Sequence, residues 1–191
     1  MSFEKALYNV AVELSDDGGL AMRRVEVVQF SEKWRFDFEK EAAVLKEIFS
    51  TELIGIHHIG STSIHGLSAK PIIDIMPVVK DISQIDRYDG KMAAIGYEAK
   101  GENGITGRRY FQKGGDERTH HVHIYENGSP EIDRHLAFRD FLRVHSGRTK
   151  AYGDLKEKLA LQFPYDIEAY INGKAELAAW IEQEAMEWVK K

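Results

Sequence analysis

Apolar positions along the chain change their spacing twice, and those changes mark out its elements. Residues 6–14 and 22–30 are β-leaning stretches on either side of Ser15-Asp16-Asp17-Gly18-Gly19, a cluster of turn formers, which predicts a β-hairpin. From Ser31, an N-cap candidate, Trp34, Phe38, Ala42, Leu45 and Phe49 recur at helical steps and predict a helix over 32–49. Two short apolar runs follow, 52–59 and 71–79, each the length of a buried strand. Residues 81–96 read as a weaker helix. Then 96–100, 108–114 and 119–126 read as short strands separated by Gly-rich loops at 101–107 and 114–115. Beyond Glu131 the period returns to three and four residues in three successive segments, where Phe138, Leu142, Leu155, Leu159 and Trp180 stand at core spacing.

Alternating strands and helices followed by a helical tail predict an α/β fold, a mixed sheet flanked by helices. No Ser, Gly or Pro linker separates the parts. The expected organisation is an N-terminal hairpin extension over 1–22, an α/β core over 23–130, and a C-terminal helical segment over 131–191 packed on that core.

Composition narrows the function. At 191 residues, with 43% apolar and 30% charged positions, the chain is a globular domain with room for a sizeable core. Its formal net charge of −5 has the wrong sign for non-specific binding to duplex nucleic acid. It has no cysteine, so disulfides, thiol nucleophiles and cysteine-ligated zinc are excluded, and any metal must be held by His and carboxylates. The first residues carry Glu4 and Lys5 with no long apolar run, so neither a signal peptide nor a membrane span is read there and a cytoplasmic location is expected.

The candidate chemistry lies in residues 57–79. A strand ending in Gly60-Ser61-Thr62-Ser63 offers close backbone approach and several hydroxyls, and Lys70 adds a point charge, a set suited to phosphate. A Gly-Ser turn that merely caps a short helix would look the same. Asp74, however, stands among Ile72, Ile73 and Ile75, where an ionised carboxylate is costly to bury unless it meets a cation or donors. In THHVHIYE, strand alternation sends His121, His123 and Tyr125 to one face, so two imidazoles converge at chelating spacing. With Asp74 they would make a mixed N/O metal site; without metal they would hydrogen-bond a buried carboxylate or an anion. Arg109 is a candidate for neutralising a phosphate. His57, His58 and His65 flank the Gly-Ser turn and are read as structural, and Arg139, Asp140 and Arg143 as surface ion pairs.

The run H-I-G-S-T-S-x-x-G-L-x-A-K-P-I-I-D-I over 58–75 resembles the signature of the GrpB-like family, whose fold resembles the nucleotidyltransferase superfamily related to DNA polymerase β. The resemblance extends to R-x-Y-F at Arg108 to Phe111, H-x-H at His121 to His123, F-R-D-x-L-R at Phe138 to Arg143 and Y-x-x-L-K at Tyr152 to Lys156, and covers about residues 23–185. It implies that Gly60 and Ser61 hold phosphate and that Asp74 is the first of two metal-binding carboxylates. Met76 stands where the second is expected, and a thioether does not suit Mg²⁺.

These features together predict a nucleotidyltransferase-like protein that binds a nucleotide or another small phosphorylated ligand, with transfer of a nucleotidyl group to a small acceptor as its candidate activity and Asp74 as its candidate catalytic residue. Gly60, Ser61, Thr62, Ser63, Lys70 and Arg109 would contact the ligand, and Asp74, His121 and His123 a divalent ion (Mn²⁺, Mg²⁺ or Zn²⁺). No organic cofactor, membrane or duplex partner is expected. Two alternatives stand beside this reading: a phosphate-ligand-binding module that has lost catalysis, and a metal-dependent hydrolase built on the H-x-H pair.

Overall fold

A computed structural model of the protein describes residues 24–191. Helix α1, Lys33–Phe49, begins where the Ser31 hydroxyl accepts the Lys33 amide at 3.3 Å. It buries four of the five residues of the expected stripe, Trp34, Ala42, Leu45 and Phe49, while the fifth, Phe38, is half-buried and its ring stacks on His58. Strands β1, Leu53–Ile59, and β2, Ile73–Val79, match the two apolar runs. After β2 comes a 3-10 segment, Ile82–Tyr88, and then α2, Asp89–Ala94. The weak helix of the sequence thus divides in two: Asp81 caps the Ser83 amide at 2.9 Å, and Gly96 at φ +88° turns the chain out.

Strands β3, Tyr97–Ala99, β4, Arg108–Lys113, and β5, His120–Glu126, complete a five-stranded sheet of order β1-β2-β5-β4-β3. The β2–β5 pair is parallel and the other pairs are antiparallel, so the sheet is mixed. Three helices follow: α3, Pro130–Val144, α4, Ser146–Gln162, and α5, Ile167–Trp188.

Because strand residues alternate, the two sheet faces differ in chemistry. One face presents Ile73, Ile75, Phe111, Val122 and Ile124 to α1, α2 and the 3-10 segment, and forms the largest apolar cluster. On the other, registered rows place Asp74 and Met76 of β2 and Arg108 and Tyr110 of β4 alongside His121, His123 and Tyr125 of β5. Helix α3 approaches this second face through Ile132, against Ile59, Met76, Val78 and Tyr125. A further cluster joins Ile64 and Leu67, just after β1, to Phe138, Phe141 and Leu142 of α3 and to Ala178 and Ile181 of α5.

The expected hairpin falls largely on residues outside those described. Residues 24–30 form no strand but an isolated bridge, Val28 to Ala69, because Val25 is drawn elsewhere. Its amide donates to the Pro164 carbonyl at 2.8 Å, and its side chain is buried with Leu159, Tyr170 and Ile171. Trp180, expected in the core, is 43% exposed and lies under the Arg148 guanidinium. Among the described residues, no helix is long and apolar enough to cross a membrane.

Candidate functional site

The antiparallel register of β1 and β2 pairs Ile59 with Asp74, so the residue after β1 meets the Asp74 side chain. That residue is Gly60, at φ +67°, where a Cβ would overlap the Asp74 carboxylate. Glycine is required there on two counts, backbone and space. The chain then makes a single 3-10 turn, Ser61–Ser63. The Ser63 hydroxyl donates to the Gly60 carbonyl at 2.6 Å, and the Thr62 hydroxyl donates to the Ile72 carbonyl at 3.1 Å and meets His58 Nε2 at 3.1 Å. Those two hydroxyls shape the turn. The Ser61 Oγ instead accepts from Lys156 Nζ at 2.9 Å, across from α4.

Parallel pairing of β2 with β5 sets Asp74 directly beside His121. His121 Nδ1 lies 3.1 Å from Asp74 Oδ1, and His123 Nε2 approaches the same oxygen at 3.5 Å. Burial works against ionisation of Asp74, but hydrogen bonds from the two imidazoles outweigh it and hold the carboxyl well below its usual range. Burial lowers His121, and lowers His123 to about 4, with Asp74 opposing in both cases. An ionised carboxylate thus stands between neutral imidazoles.

This donor set fits a divalent ion. One ligand atom from each of Asp74, His121 and His123 lies within 4.8 Å of the others, and His121 Nε2 is buried without a hydrogen-bond partner. Two nitrogens and an oxygen suit Mn²⁺, Zn²⁺ or Fe²⁺ better than Mg²⁺. Met76, on the same face two residues on, is fully buried among Ile59, Val78, Tyr125 and Ile132 and offers no oxygen.

A cleft opens from this cluster towards the helical tail. Ile59, Gly60, Ser61, Thr62, Lys70, Asp74, His135, Phe138, Tyr152, Lys156, Tyr170 and Lys174 are among the residues that line it, around a partly open cavity of about 50 Å³. Lys156 and Lys174 are buried, Lys156 over the Tyr152 ring and Lys174 over the Tyr170 ring, with Lys70 on the same Tyr170 ring at 5.8 Å. Of the residues the sequence pointed to, Gly60, Ser61, Thr62, Lys70 and Asp74 line this cleft, and His121 and His123 back Asp74. Ser63 is not part of the lining.

Arg109 is not brought here. It pairs with Ile124 in the sheet and so faces the opposite side, where its Nε meets Asp86 at 2.5 Å. The guanidinium on the cleft side belongs to Arg108, fully buried, with one nitrogen 3.5 Å from His123 Nδ1. Sequence reasoning missed Lys174 and His135, and met Lys156 only as the last letter of the Y-x-x-L-K motif. A lysine at a helix position otherwise occupied by core residues was the available signal, and Lys156 lies between Tyr152 and Leu159, both buried.

The fold and site define an α/β protein with a mixed sheet, one face of which carries a carboxylate–imidazole cluster at the edge of a lysine-lined cleft. The family profile described as GrpB protein matches residues 24–184, and the chain belongs to that family. It is 52% identical over 168 residues to the UPF0157 protein YqkA of Bacillus subtilis (strain 168), covering 88% of this chain and 49% of that one. The chain therefore spans about half the length of that relative. The crystal structure of conserved protein GrpB from Enterococcus faecalis superposes with TM-score 0.84 and 42% identity, over 87% of this chain and 100% of that one. A slighter likeness, TM-score 0.48 and 15% identity over 70% of this chain and 42% of that one, is to the Cid1 poly(U) polymerase with Mg 3'-dATP bound.

Proposed function

We propose that the cleft binds a small phosphorylated molecule, a nucleoside triphosphate first among candidates, and that the protein transfers a nucleotidyl group from it to a small acceptor. One observation carries this reading: three lysines and the Gly60-Ser61 turn share a single hollow with Asp74. Ammonium groups in a partly desolvated hollow attract and orient phosphate oxygens more strongly than they would in water. Ser61, whose hydroxyl accepts from Lys156, lines the same cleft as Asp74. Asp74, His121 and His123 would hold a divalent ion, which when bound would polarise a phosphoryl oxygen and offset developing charge. The resemblance of residues 58–75 to the GrpB-like signature, a family whose fold resembles the nucleotidyltransferase superfamily, supports the same reading.

A second reading is favoured by Met76. With an apolar, fully buried side chain where a second carboxylate would be expected, the same cleft serves a binding module without turnover.

Thermal shift with ATP, GTP, CTP and UTP, each with and without Mn²⁺, tests binding. At a ligand concentration 100 times Kd the protein gains about 2.7 kcal/mol, and at about 2–4 °C per kcal/mol Tm should rise by roughly 5–11 °C. Ser61→Ala and Asp74→Asn should each abolish or sharply reduce that rise. A Tm unchanged by all four nucleotides with Mn²⁺ would end both readings. Pyrophosphate release in a screen of small acceptors then separates the enzyme from the binder.

A further inference from the structure

Arg139, Asp140 and Arg143 follow one another on the flank of α3, and none of them lines the cleft. Their contacts go to the turn that does. Arg143 directs Nε and a terminal nitrogen to one oxygen, the Ser63 carbonyl, at 3.1 and 2.8 Å. Arg139 donates to the His58 carbonyl at 3.2 Å. Asp140 lies between them, accepting from Arg139 at 2.7 and 2.9 Å and from Arg143 at 3.4 Å. The two carbonyls bracket the segment Ile59 to Thr62, whose residues all line the cleft, whereas His58 and Ser63 do not. We infer that Arg139, Asp140 and Arg143 form a clamp that holds the Gly60–Thr62 turn from outside in the shape that receives the anionic ligand, as positioning residues for the cleft. The inference deepens the proposed reading of that cleft and rests on it for its ligand.

The physical case has three parts. Gly60 is held at positive φ, and so tight a turn needs its flanking peptides fixed if its amides and the Ser61 hydroxyl are to keep one arrangement. Carbonyls at the ends of such a turn need donors, and hydrogen bonds from guanidinium groups are among the stronger ones available. Finally, the distance between helix and turn is set by packing: Phe138, Phe141 and Leu142 of α3 share an apolar cluster with Ile64 and Leu67, so the arginines reach a turn that cannot drift away. The Arg139 side chain is only 14% exposed, while those of Arg143 and Asp140 are each 41% exposed, so the turn is reached from the surface.

Amide hydrogen exchange reads the clamp directly, because the Ser63 and Ile64 amides donate to the Gly60 and Ser61 carbonyls within the turn. Exchange should be compared among the ligand-free wild type, Arg143→Ala, Arg143→Lys and Asp140→Asn, with the Val122 and Ile124 amides of β5 as the internal reference. Arg143→Ala should speed exchange at Ser63 and Ile64 about tenfold, leave β5 unchanged, and raise the Kd for ATP with Mn²⁺ by about the same factor. Arg143→Lys, with one donor point in place of a fork, should recover part of both effects. Should Arg143→Ala fail to fold, Asp140→Asn supplies the same comparison with a smaller expected change. Turn amides that exchange at wild-type rates, or that quicken only in step with β5, would overturn the clamp. A wild-type protein that binds no nucleotide would refute the proposed function instead, and the exchange comparison would still decide the clamp.

Discussion

Two glycines near the cleft share a positive φ and differ in what surrounds them, which makes them a controlled pair. Gly60 stands at φ +67° with ψ −175°, a region essentially closed to other residues, and Gly66 at φ +77°, so alanine at either position carries a positive-φ penalty of at least about 1–2 kcal/mol. At Gly66 an added Cβ meets nothing within 4 Å, and that penalty is the whole cost. At Gly60 the Cβ would overlap the Asp74 carboxylate, which His121 and His123 hold in place, so relief requires breaking their contacts. Overpacking of this kind adds about 1–3 kcal/mol, for a total of about 2–5 kcal/mol. In a chain of this length each kcal/mol moves Tm by about 2–4 °C, so Gly60→Ala should lose about 4–20 °C and Gly66→Ala about 2–8 °C. Calorimetry of both variants side by side measures the difference, and a Mn²⁺ titration adds a second reading. The displaced carboxylate of Gly60→Ala should forfeit any stabilisation by Mn²⁺, and Gly66→Ala should keep it. If Gly60→Ala costs no more than Gly66→Ala, then Asp74 does not stand against the turn and the description of the site fails.

Acidification should weaken the fold before any carboxylate titrates. Burial lowers His58 and His123 to about 4, so in the folded state both stay neutral between pH 6.5 and 4, while the unfolded chain takes up their protons. Their contribution is complete above pH 6.5 and is lost as pH falls towards 4, and at pH 5 the loss should be on the order of 2 kcal/mol per histidine. Asp74, held below its usual range, adds a further loss only below about pH 4. Urea melts at pH 7 and pH 5 check the sign, and equal stability at the two values would contradict it. Lys156→Met keeps most of the volume but removes the buried donor to the Ser61 hydroxyl, so it should cost on the order of 1–3 kcal/mol of stability. The same variant should weaken nucleotide affinity at least tenfold, and an unchanged Kd would take Lys156 out of the site.

The elements were legible where periodicity was strong. The stripe of α1, the two apolar strands and the three tail helices stand where the spacing of Trp34, Leu45, the Ile-rich runs and Phe138 to Leu142 puts them. Strand alternation also gave the shared face of His121 and His123, because a period of two fixes side-chain direction locally. What was not legible depended on register between distant segments. Only the β2–β5 pairing sets Asp74 beside His121, forty-seven residues away, and only the β4–β5 register decides that Arg108 and not Arg109 faces the cleft. Neighbouring arginines in one strand look alike in sequence; one is sealed under the site and the other is paired with Asp86 on the far side. The lysines of the tail were hidden for another reason, since a helix that buries a charge against a cleft follows the same three- and four-residue step as one that buries leucine.

The departure at Met76 makes physical sense once the strand's depth is considered. Asp74 lies at the start of β2, where its side chain keeps 16% of its exposure and lines the cleft. Two residues on, the same face is sealed by Ile59, Val78, Tyr125 and Ile132, and Met76 has no contact with solvent. A second carboxylate there would have to ionise in an apolar enclosure, at a cost that a single metal ion or guanidinium must offset. A neutral imidazole loses far less on burial and still presents a lone pair. His121 and His123, both at most 3% exposed, are in that state because burial keeps them deprotonated. On the proposed reading, His121 and His123 of β5 would supply donors in a pocket too dry for two acids, and such a set would favour a cation that accepts nitrogen over a hard oxygen-seeking one.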